Sequence, residues 1–66
     1  MIKPTLQIKK ELKEKGWNLK GVKIKVERLY DFVWVYVPSQ EDYKDFDKAV
    51  ADVAGVPVYN VMLKEL

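Results

Sequence analysis

Two six-residue runs alternate without interruption. In Val22-Lys23-Ile24-Lys25-Val26-Glu27 every second side chain is aliphatic and the others are charged; in Phe32-Val33-Trp34-Val35-Tyr36-Val37 valine alternates with an aromatic ring. A period of two is that of a β-strand, whose successive side chains leave opposite faces of the sheet. Only Arg28-Leu29-Tyr30-Asp31 separates the runs, so they read as an antiparallel hairpin. With that loop, Val26 faces Val33, Ile24 faces Val35 and Val22 faces Val37, giving one wholly aliphatic face. The opposite face pairs Lys25 with Trp34, Lys23 with Tyr36 and Glu27 with Phe32. The loop has neither Gly nor Asn, so parity fixes the faces without fixing the turn type.

The flanking segments read as helices. From Pro4 to Lys15 the apolar stripe Ile2, Leu6, Ile8 and Leu12 spans an arc of about 160° at 100° per residue. Pro4 suits a first turn, Lys13 and Lys15 suit the negative C-terminal end, and Gly16 suits the left-handed stop. Trp17 and Leu19 must then reach the core, and Asn18-Leu19-Lys20-Gly21 has the composition of a turn. After Pro38, Ser39 and Asp42 have the spacing of a capping box, predicting a second helix that runs to about Ala54. Its apolar positions Tyr43, Phe46, Val50, Val53 and Ala54 recur at three and four residues. Gly55 and Pro57 end it, and Val58 to Leu63 reads as a third strand.

The expected fold class is α+β: one small domain over residues 1–66, order α-β-β-α-β, with two helices on one face of a three-stranded sheet. A right-handed β-α-β crossover would lay the third strand parallel to the second. In element order alone this resembles a ferredoxin-like fold without its first strand.

A chain of 66 residues buries only about 60% of the surface its unfolded form exposes, so little apolar material is free to build an enclosed active site. There is no Cys and no His, which removes disulfides, thiolate chemistry, zinc knuckles and the commonest proton shuttle. Ser39 is accounted for as a helix cap and Thr5 lies at a helix start, neither with a general base in any recognisable pattern. Asp45 and Asp47, two apart on a helix, point to different sides and make no acid/base or metal pair. Gly16, Gly21 and Gly55 are isolated, so no phosphate-binding glycine loop exists. The expectation is a non-enzymatic binding protein with no cofactor and no metal. With 48% apolar and 33% charged residues the chain should fold, and no apolar run reaches the roughly 18 residues of a membrane span. Met1-Ile2-Lys3-Pro4 lacks the apolar stretch of a signal peptide, so the expected location is the cytoplasm, with no membrane partner.

The net charge of +2 conceals an asymmetry. Residues 1–28 carry nine cationic side chains against three acids, a net of +6, and residues 29–66 carry three lysines against seven acids, a net of −4. Such a division suggests either a basic surface for an anionic partner or complementary faces for self-association. The candidate site is the non-aliphatic hairpin face, with Phe32, Trp34 and Tyr36 beside Lys23 and Lys25. Aromatic platforms that stack bases and cations that track phosphates are how single-stranded DNA or RNA is held. Phe32-Val33-Trp34-Val35-Tyr36 resembles the aromatic alternation of RNA-recognition motifs over these five residues, without the Lys/Arg-Gly-aromatic opening of that motif. Lys9, Lys10, Lys13 and Lys15 of the first helix would extend such a phosphate-tracking surface. The alternative is a protein–protein interaction module, including a homodimer with two aromatic faces packed together. A purely structural reading has Lys23 and Lys25 lying across Tyr36 and Trp34 as cation–π pairs.

Overall fold

The hairpin forms in the expected register. In the computed structural model, which describes residues 2–66, β1 (Lys23–Glu27) pairs antiparallel with β2 (Phe32–Val37), placing Ile24 opposite Val35 and Val26 opposite Val33. Val22, Ile24, Val33, Val35 and Val37 are buried, while Val26 at the loop end is half-buried. Burying each such side chain contributes roughly 1.5–3 kcal/mol relative to exposure, so this face organises the core. The loop turns through Asp31, whose φ of 51° supplies the left-handed residue that Gly or Asn usually provides.

Helix α1 covers Thr5–Glu14 and aims Ile8 and Leu12, both wholly buried, at the aliphatic face. Leu6 does not join them and is 82% exposed. Its direction is about 160° from that of Ile8 at 100° per residue, so one helix cannot bury both against a single sheet. Gly16 ends α1 with φ 99°, and the Trp17 amide donates back to the Leu12 carbonyl at 3.1 Å, closing a Schellman turn. That turn drops Trp17 against Phe46, ring centroids 4.7 Å apart, and Leu19 packs beside the core as well.

The second helix starts later than the Ser39/Asp42 pattern predicts. Helix α2 covers Phe46–Ala54, and successive turns occupy the residues before it, with the Tyr43 amide donating to Gln40 and that of Phe46 to Tyr43. Three anchors prevent an earlier start. The Gln40 backbone amide is taken by Glu65 Oε1 at 2.9 Å, the Tyr43 hydroxyl donates to the Asn18 carbonyl, and Asp45 is left-handed with φ 62°. Phe46, Val50, Ala51, Val53 and Ala54 then face the core, and Gly55 (φ 78°) ends the helix.

Strand β3 covers Val61–Glu65, later than the expected Val58 to Leu63. Pro57 instead leads into a 3-10 turn at Val58–Asn60, where Asn60 Nδ2 donates to the Asp31 carbonyl at 3.2 Å and ties this turn to the hairpin loop. β3 runs parallel to β2, giving the sheet order β1-β2-β3. A complete ferredoxin-like sheet has another strand inside this β-α-β unit. Here the two strands are direct neighbours, so the missing strand leaves no gap. The result is a small α+β domain of order α-β-β-α-β, with helices over the aliphatic face and the aromatic face uncovered.

Candidate binding face

The uncovered face is built in cross-strand ranks. Glu27 lies opposite Phe32; Lys25, Trp34 and Met62 form the next rank; Lys23, Tyr36 and Lys64 form the last. The five residues expected from the sequence are therefore brought together. Phe32, Trp34 and Tyr36 are half-buried by their neighbours, whereas Lys23, Lys25 and Lys64 are exposed. The face is graded along the strands, with a carboxylate at the hairpin end and two lysines flanking Tyr36 at the other.

Trp34 is fixed from two sides. Its Nε1–H donates to Glu27 Oε1 at 3.0 Å, and Lys64 Nζ lies 5.5 Å from its ring centroid. The cation over this ring thus comes from β3 rather than from the expected Lys25. Phe32 meets Trp34 with ring centroids 5.0 Å apart and planes tilted by 56°, an arrangement favoured by the ring quadrupoles. Tyr30, 69% exposed at the loop, stands beside this pair.

Lys64, Met62 and Tyr30 are the members of the face that sequence reasoning missed. The signal for the first two was present, since buried Val61 and half-buried Leu63 continue the inward alternation once the strand is shifted to Val61–Glu65. Tyr30 lies in a loop whose conformation depends on Asp31, for which periodicity gives no guide.

The lysines of α1 do not extend this face, because α1 packs on the other side of the sheet. Lys15 Nζ instead reaches Asp52 Oδ2 of α2 at 3.5 Å, so the basic and acidic helices sit together. Lys9 and Lys13 border a separate hollow with Trp17 and Lys20. Among the described residues there is no group of three or more acidic or other metal-ligating side chains placed to hold an ion, and no helix long and apolar enough to cross a membrane. No family model, no curated protein and no solved structure matches this chain.

Proposed function

We propose that the protein is a cytoplasmic, non-enzymatic binding protein whose uncovered sheet face holds single-stranded DNA or RNA. The observation that carries this reading is the rank Lys23, Tyr36 and Lys64, an aromatic ring between two lysines on neighbouring strands, with Lys25 and Trp34 in the next rank. Rings offer stacking surfaces to any base, and the lysines lie where a backbone crossing the strands would pass.

Fluorescence anisotropy with mixed-sequence oligonucleotides of about 10 to 20 nucleotides tests it. With about three phosphate contacts the log–log salt slope should be near −2, a loss of roughly twentyfold between 50 and 200 mM salt. Tyr36→Ala should weaken binding by about 1–3 kcal/mol with the slope retained, whereas Lys64→Ala should reduce the slope by somewhat less than one. An absence of binding at low salt rejects the reading.

Met62 favours a second reading. This side chain is 41% exposed beside Trp34, adding an apolar contact that a nucleic acid does not need. A protein partner, or a second copy packed face to face, would use it. Sedimentation at low and moderate salt separates the two: a salt-insensitive dimer whose thermal midpoint drops with Trp34→Ala supports the interface, and a monomer insensitive to that change rejects the homodimer.

A further inference from the structure

The hairpin end of the same face holds a feature that phosphate tracking does not use. Glu27, Tyr30, Phe32 and Trp34 line a shallow hollow of about 200 Å³. Three of the four lining side chains are aromatic, and the fourth, Glu27, ends in a carboxylate that bonds the Trp34 indole at the border of the hollow. Because Phe32 and Trp34 are inclined at 56°, they form two sides of an angle rather than one flat platform. Glu27 Oε1 holds the Trp34 indole at 3.0 Å, and Oε2 is not part of that bond.

An aromatic ring carries a negative π face and Glu27 adds a full negative charge, so a hollow lined by these side chains favours a cation over a phosphate. Lys64, 5.5 Å from the Trp34 ring centroid, illustrates the same attraction within the protein. A bare ammonium is strongly hydrated and loses water bonds on entering a site with aromatic walls. Methyl groups change that balance, since a quaternary ammonium donates no hydrogen bonds and has an apolar surface to lay against the rings. We propose that this hollow is an aromatic cage for a methylated ammonium, either a free quaternary ammonium or the head of a methylated lysine side chain. The inference goes beyond nucleic-acid binding: it draws on Glu27 and Tyr30 and does not require Lys23, Lys25 or Lys64.

The test follows the two tryptophan indole N–H signals by NMR in the full chain. Trp17 packs against Phe46 away from the hollow and serves as the internal control, assigned with Trp17→Phe. Tetramethylammonium chloride should move the Trp34 signal saturably, while potassium chloride at equal ionic strength should not. Glu27→Gln keeps an oxygen acceptor for the indole but removes the charge, and should weaken binding roughly threefold to tenfold. Tyr30→Ala, at an exposed position, should weaken it similarly without lowering the thermal midpoint. A parallel titration compares the acetylated amides of trimethyl-lysine and lysine. Saturable preference for the trimethylated form identifies the lysine source, and a response to tetramethylammonium alone identifies a free quaternary ammonium. The proposal is overturned if neither methylated probe moves the Trp34 signal saturably, if potassium moves it equally, or if Glu27→Gln leaves the affinity unchanged. A failed oligonucleotide titration leaves it standing.

Discussion

Two aspartates hold backbone that L-residues rarely adopt. Asp31 (φ 51°) closes the hairpin loop and Asp45 (φ 62°) opens α2. The left-handed region costs about 1–2 kcal/mol for an ordinary side chain, less for Asp, and glycine enters it without that cost while losing more entropy on folding. The expected outcome for Asp31→Gly is therefore a net gain of roughly 0.5 kcal/mol, read from the thermal midpoint, and a lowered midpoint would reject strain at this loop. Asp31 uses its backbone carbonyl to accept from Asn60, so that bond survives the substitution. Asp45→Gly should gain less, because Asp45 Oδ1 also lies 3.7 Å from Lys48 Nζ.

At the scale of elements, Lys3 Nζ bonds both carboxylate oxygens of Glu11, at 2.8 and 3.0 Å, and fastens the segment before α1 to that helix. The hydrogen bond from Lys3 lowers the Glu11 pKa below its ordinary 4.5. A depressed carboxylate stabilises the folded state above its unfolded pKa, and that stabilisation is lost as the pH falls through the lower folded value. Glu11→Gln should accordingly lower the thermal midpoint slightly at about pH 7 and leave no difference at about pH 2.5. An equal effect at both would show that the contact acts by packing.

Elements whose pattern serves one purpose were legible in the sequence. Strands 23–27 and 32–37 alternate because one face is buried, and the register followed from that alternation together with the four-residue loop 28–31. Where long-range contacts decide, local pattern misled. Ser39 and Asp42 have cap spacing, yet the bonds of Gln40 to β3 and of Tyr43 to Asn18 hold that segment in turns. Gly55 ends α2 as expected, but the 3-10 turn after Pro57 delays β3, which is why Lys64 escaped notice as part of the face. The five expected site residues do share one surface, whereas the hollow at its end needed the loop geometry of Tyr30.

For the whole molecule, the charge asymmetry along the sequence becomes two different arrangements in space. In the helix layer basic α1 meets acidic α2 through Lys15 and Asp52. On the uncovered face, Lys23, Tyr36 and Lys64 gather at one end of the sheet while Glu27 and the aromatic hollow occupy the other. A three-stranded sheet also has two unpaired borders. The Leu66 amide donates to Val37, so by alternation the backbone groups of Leu63 point away from β2, and Gln40 Nε2 meets the Leu63 carbonyl at 3.3 Å. Gln40 therefore stands where a neighbouring chain would begin to zip onto β3, occupying a carbonyl that such a chain would use, and protection against edge pairing is the expected consequence. Gln40→Ala should shorten the lag before thioflavin fluorescence rises on prolonged warm incubation, and an unchanged lag would assign that protection elsewhere.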